Sequence, residues 1–277
     1  MIGKTPKIIT GALLVLILAV AVFFRFYNIT ETPPGLYPDE AANGVNALDA
    51  ISSGHYKVFY PENNGREGLF MNIQAISVKY FGAYPWSLRI VSGVFGVLTV
   101  LGLFLLTQLL WSPTIALVAS YLVAISFWPV NFSRIGFRAI MLPFILVWAF
   151  YFLWKGIQNR SKILLFLAGI VYGAGFNTYI SWRVSPLLVG ILFLAFLFSK
   201  NWNKSLPASD AVLPLSRENK KYVIKSGFIF LAGTLIMMTP LVYYYLQNPA
   251  DFMGRAAQVS IFNSLEKSLD SAPAPVS

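Results

Sequence analysis

An all-α polytopic membrane protein is the fold class this sequence predicts, and three observations predict it. Hydrophobic residues make up 57% and aromatics 16% of the 277 residues, against 12% charged. That is more apolar surface than a water-soluble domain of this size buries. The apolar residues gather into runs close to the ~20 residues that a membrane-spanning helix needs. The basic residues are dispersed between those runs, so the net charge of +10 fits a lipid-headgroup interface and not nucleic acid. With no cysteine and one histidine, His55, the chain excludes disulfides, thiolate metal sites, a cysteine nucleophile and a His-rich metal cluster.

The first run, residues 8–24, follows Lys4 and Lys7. Ala19-Val20-Ala21 imitates a signal-peptide cleavage pattern but lies inside the run, which continues to Arg25, so an uncleaved first helix is expected. Further spans are expected at 88–110, 114–132, 140–154, 163–179, 184–198 and 228–246, about seven in all. Trp182-Arg183 interrupts the long apolar stretch before Phe198 and divides it into two helices. Pro113, Pro143, Pro186 and Pro240 are expected at or near helix ends, where a missing N–H does least harm.

Between the first two spans lies a polar stretch, residues 25–87, too long for a structureless connector. Ala41, Val45, Leu48 and Ile51 recur at helical spacing, as do Leu69, Phe70, Ile73, Ile76 and Tyr80. Two amphipathic helices on the membrane surface are expected, joined through the turn region from Gly54 to Gly65. No internal repeat or interdomain linker is visible, and the tail at 271–277 looks unfinished.

Orientation follows from the short loops. With the N-terminus inside, Lys155, Arg160 and Lys162, then Lys200, Lys204, Arg217, Lys220, Lys221 and Lys225, face the cytoplasm. The 25–87 loop then faces outward. It concentrates the acids: of 11 in the chain, Glu31, Asp39, Glu40, Asp49, Glu62 and Glu67 lie there. Carboxylates gathered at one water-facing mouth point to chemistry or ion binding.

Each motif there has two readings. Asp39, beside Glu40, can serve as a general base on a hydroxyl or amine, or can N-cap the helix that follows. Arg66 can clamp a phosphate with Glu67 holding it, or the two can form a surface ion pair. Arg134 and Arg138, four apart, are expected on one helix face near the same mouth, as phosphate ligands or as headgroup anchors. Arg183 adds a further outer cation between aromatics. Together the acids and four arginines suit a site that handles a lipid-linked phosphate.

Pro38-Asp39-Glu40-Ala41, Gly65-Arg66-Glu67, Ser87-Leu88-Arg89 and the segment from Arg134 to Arg138, in this order around the spans, resemble a known family. It is that of the protein mannosyltransferase-like and lipid A aminoarabinose transferase-like glycosyltransferases of GT-C architecture. The resemblance implies a GT-C-type helical bundle and an inverting transfer of sugar from a polyprenyl-phosphate donor to a lipid, glycan or protein acceptor. Under it, Asp39 matches the catalytic carboxylate and Glu40 its neighbour, while Arg66, Arg138, Arg134 and Arg183 match basic positions near the donor phosphate. It further implies that residues 1–277 are one transmembrane glycosyltransferase domain, the N-terminal part of a longer architecture in the plasma membrane. No metal-ligand set is evident at Asp39 and Glu40, so no obligatory cofactor is expected. The rival reading is a transporter or lipid flippase without covalent chemistry, which calls for ionisable residues in mid-helix and matched broken helices.

The orientation is testable by introducing single cysteines at Ser53 and Ser205 and treating intact cells with an impermeant thiol reagent. Ser53→Cys should label and Ser205→Cys should not; the reverse pattern overturns the orientation.

Overall fold

A computed structural model describes residues 7–198 and 217–252. The basic segment from Lys200 to residue 216 and the tail at 271–277 lie outside the described residues. Ten α-helices carry the described chain: α1 (Lys7–Phe26), α2 (Pro38–Ser53), α3 (Leu69–Phe81), α4 (Pro85–Leu110) and α5 (Pro113–Ile125), then α6 (Phe127–Arg134), α7 (Met141–Gln158), α8 (Lys162–Ala174), α9 (Ser185–Phe198) and α10 (Arg217–Gln247). Two-residue strands β1 (Phe59–Tyr60) and β2 (Arg66–Glu67) pair antiparallel between α2 and α3, a small addition to the all-helical expectation.

Among the described residues, four helical segments are long and apolar enough to cross a membrane: Lys7–Phe26, Pro85–Leu110, Arg138–Gln158 and Lys221–Gln247. The bent pair α5 and α6 makes a fifth if taken as one span, and Lys162–Asn177 and Ile180–Ile191 are shorter apolar helices. The 54° bend between α5 and α6 has a local cause. Pro129 lacks an N–H, and its ring would clash with the Ile125 carbonyl were the helix continuous. The chain therefore turns extended at Ser126. The carbonyls orphaned there are taken up by Arg25, whose guanidinium donates to Ala124 O (2.9 Å) and Val123 O (3.4 Å) while wholly buried.

Pro113 stands at the first position of α5 behind the cap Ser112, and Pro143 and Pro186 fall in the first turns of α7 and α9. Pro240 departs from expectation, because it lies inside α10. Glycines bring α8 and α10 into backbone contact: a Cβ at Gly169 would run into the Phe230 carbonyl. Thr234 Oγ1 donates across that contact to Gly169 O at 3.2 Å.

The region between α1 and α4 packs on one end of the bundle. Tyr60, Phe70 and Met71 enter a core with Val91 of α4, Met141 and Ile145 of α7 and Tyr172 of α8. Ala47 and Ala50 of α2 pack against Ala75 and Val78 of α3 and Leu88 of α4. In α2 polar positions turn inward, and apolar positions of both amphipathic helices remain open on the outside. Val45 and Leu48 of α2 are exposed while Asn43 and Asn46 are buried, and Ile76 and Tyr80 of α3 also face outward. Small alanines let α2 approach closely, and its buried amides have a partner described below.

One buried ion pair pins this region to the bundle. Arg89, near the start of α4, donates from Nε to Glu40 Oε1 (2.8 Å) and from Nη2 to Glu40 Oε2 (3.2 Å), both side chains 1% exposed. Its remaining donors reach Pro33 O (2.7 Å) and Gly35 O. Removing one partner of such a pair leaves an uncompensated buried charge, at a cost of about 3–5 kcal/mol. Glu40→Gln or Arg89→Met alone should therefore lower the thermal unfolding midpoint in detergent sharply. The double substitution Glu40→Gln/Arg89→Met should recover a large part of the loss.

Candidate active site

Asp39 sits on the second residue of α2. The cap is Tyr37, with Pro38 at the first helical position, and Glu40 accepts the Tyr37 N–H at 3.3 Å. Asp39 is thus not the N-cap. Its Oδ1 accepts a hydrogen bond from Asn63 Nδ2 at 3.3 Å. Asn63 and its neighbour Asn64 have left-handed backbones (φ 53° and 65°), which asparagine tolerates better than most residues. They fold the β1–β2 connection over the start of α2.

Asp39, Asn43, Asn63, Asn64, Arg66, Phe137, Arg138 and Tyr179 line one cavity of about 70 Å³. This is room for several water-sized groups, each needing roughly 10–15 Å³. The predicted acid and two of the four predicted arginines therefore converge. Both cations are buried and held. Arg66 donates from Nη1 to Asn43 Oδ1 (2.7 Å) and from Nη2 to Asn46 Oδ1. Arg138 donates from Nη1 to Glu67 Oε2 (2.9 Å) and lies over the Tyr179 ring, 5.1 Å from its centre.

The other candidates are placed elsewhere. Glu40 points away from the cavity into Arg89 and also accepts the Gly136 N–H at 3.0 Å. It is a strut, and its carboxylate does not join that of Asp39. Arg134 donates to the carbonyls of Phe24 (3.0 Å), Tyr27 (2.9 Å) and Thr32 (2.8 Å), closing the end of α1. The expected shared face with Arg138 is absent, because α6 stops at Arg134 and the chain is extended at Ile135 before a new 3₁₀ turn at Arg138–Ile140. Arg183 lies behind the cavity wall, 3.5 Å from Glu67 Oε1, with Nη2 on Tyr245 OH (2.9 Å) and Nη1 on Phe252 O (3.1 Å). Glu67 consequently holds Arg138 and Arg183, where the sequence suggested that it would hold Arg66.

The sequence reading missed the residues that organise the site. Gly136 is gripped from both sides, its N–H by Glu40 and its carbonyl by Asn43 Nδ2 at 2.9 Å. A Cβ there would meet Glu40 Cγ at 2.9 Å and Gln74 Nε2 at 3.0 Å, so the close approach requires glycine. This fixes the two residues that follow, Phe137 and Arg138, against the cavity. The available signal was the polar stripe Asp39, Asn43 and Asn46, spaced four and three residues apart on one helix face. Tyr60 faces Arg66 across the β1–β2 ladder and donates to Asn72 Oδ1 at 2.9 Å. Burial raises its phenol above the ordinary range. Among the described residues no group of three or more His, Asp or Glu side chains could hold a metal ion.

The family described as dolichyl-phosphate-mannose-protein mannosyltransferase matches residues 69–215, more than half of the chain. YkcB of Bacillus subtilis (strain 168), named as a candidate mannosyltransferase, is 29% identical over 174 residues, which are 60% of this chain and 23% of YkcB. The crystal structure of the Archaeoglobus fulgidus oligosaccharyltransferase complex with Zn and sulfate superposes on 93% of this chain and 39% of that one. Its TM-score is 0.57 at 18% identity, a likeness of fold. The chain thus spans less than two fifths of the length of either protein. The helical bundle has the GT-C architecture that the motifs suggested. By fold, by apolar helices and by a match over most of its bundle, the chain is an integral membrane protein that belongs to the dolichyl-phosphate-mannose-protein mannosyltransferase family.

Proposed function

We propose that this chain carries the donor site of an inverting glycosyltransferase that moves a sugar from a polyprenyl-phosphate donor to a lipid, glycan or protein acceptor. One observation carries the reading: a carboxylate, Asp39, and two braced guanidinium groups, Arg66 and Arg138, line the same small cavity. In this reading the acceptor hydroxyl attacks the anomeric carbon on the face opposite the phosphate. Its proton passes to Asp39, the new glycosidic C–O bond forms, and the bond from the anomeric carbon to the phosphate oxygen breaks. The polyprenyl phosphate departs as an anion, so it needs cations rather than a general acid. Arg66 and Arg138, prepositioned, supply them without reorganising as charge develops. The loop at 25–87 is the extracytoplasmic face of the site, and the apolar helices beside it accommodate the prenyl chain. Glu40 and Arg134 are scaffold, and Arg183 acts behind Glu67.

Two measurements on the full-length protein test this. Asp39→Asn keeps the size of the side chain and removes the proton acceptor, whose contribution is typically 10²- to 10⁴-fold. Sugar transfer should collapse by about that much with expression and donor binding retained; near-normal transfer sinks the catalytic role. At the phosphate, Arg66→Ala should weaken donor binding more than Arg66→Lys, because lysine keeps the charge and loses the two-pronged geometry. Unchanged donor affinity in both variants removes Arg66 from the phosphate site.

A further inference from the structure

We propose that Asn43 and Asn46 are positioning residues that hold the Arg66 guanidinium toward the anion while adding no negative charge of their own. The inference rests on the donor-phosphate reading above and names what makes Arg66 suited to it. Asn43 and Asn46 are 1% and 5% exposed, and Arg66 is 3% exposed. The two amide oxygens receive the two terminal nitrogens of the guanidinium, Asn43 at 2.7 Å from Nη1 and Asn46 from Nη2. The amide of Asn43 has one orientation compatible with its neighbours: Nδ2 donates to Gly136 O at 2.9 Å, which turns Oδ1 to Arg66. Asn43 also lines the cavity with Asp39.

Arg89 and Arg138, two other buried arginines of this region, are gripped by carboxylates, Glu40 and Glu67. A carboxylate in the cradle would bind Arg66 more strongly, yet would compete with an incoming phosphate for the same charge. Neutral amides fix the fork and leave its field directed at the cavity. Asn43 and Asn46 lie one helical turn apart on α2, so the same helix that presents Asp39 also aims Arg66.

The test uses full-length protein in detergent and calorimetric titration with farnesyl phosphate, a short prenyl monophosphate, beside uncharged farnesol. Asn46→Asp, which puts a carboxylate in the cradle, should weaken farnesyl phosphate binding by about tenfold or more and leave farnesol binding unchanged. Asn46→Ser keeps a neutral acceptor and should stay within about threefold of wild type. Asn46→Leu, without an acceptor, should fall with the aspartate variant. Equal loss in the serine and aspartate variants would reduce Asn46 to a packing role and overturn the proposal. Wild-type affinity in both Asn46→Asp and Asn46→Leu overturns it too. Should Asn46→Asp fail to fold, the serine and leucine variants decide the matter: equal affinity in the two rejects the cradle. Arg66→Ala separates the two levels of the argument. If Arg66→Ala binds farnesyl phosphate normally, the donor-phosphate reading falls and the cradle with it. If Arg66→Ala loses binding and Asn46→Asp does not, only the cradle falls.

Discussion

The outer region of this protein hangs on a charge that cannot be left alone. Arg89 starts a membrane-length helix and is almost wholly buried, so its guanidinium must find acceptors within the protein or the helix cannot sit where it does. It finds Glu40 and the carbonyls of Pro33 and Gly35. Glu40 in turn takes the Gly136 N–H, so α2, α4 and the chain between α6 and α7 meet at one carboxylate. Asp39 precedes that carboxylate and Arg138 follows Gly136 by two residues. The geometry of the cavity is therefore a by-product of satisfying one buried cation.

Partner type separates the arginines by role. Arg25 and Arg134 are consumed by carbonyl oxygens at helix ends, which restores hydrogen bonds that α1 and α5 would otherwise lack. Arg89 and Arg138 meet carboxylates, and Arg66 meets amides. Charge alone, as read from a sequence, treats these as equivalent. Their surroundings do not.

The bundle was legible because lipid imposes a simple rule on composition and run length, and the apolar runs became helical, the one at 114–132 as the bent pair α5 and α6. The first-turn prolines follow from local sterics that a sequence displays directly. The bend at Pro129, by contrast, divides a run that reads as one span. The break expected at Trp182-Arg183 falls earlier, at Thr178 and Tyr179, with Trp182 and Arg183 in the 3₁₀ turn that leads into α9. Asp39 stood out because acids are scarce in this chain, and Arg66 and Arg138 because cations near an acid are informative. The errors came where a rule for continuous helices was applied across a break: Arg134 and Arg138 are four apart but not on one helix. Arg89 stood only as part of the Ser87-Leu88-Arg89 motif because its partner, Glu40, is remote in sequence. Asn43 and Asn46 did not stand out because burial of amides is decided by a partner, Arg66, twenty or more residues away.

The face that α2 turns inward has a consequence for how this segment tolerates change. Asp39, Asn43 and Asn46 fall on one face of a helix that advances about 100° per residue, with Glu40 turned aside toward Arg89. A substitution on the exposed side, at Val45 or Leu48, leaves that phase intact. Inserting or deleting a single residue between Glu40 and Asn43 would rotate one half of the set away from the other. The acid and the grip on Arg66 would then face different directions, with every side chain still present. For this helix, spacing matters as much as identity.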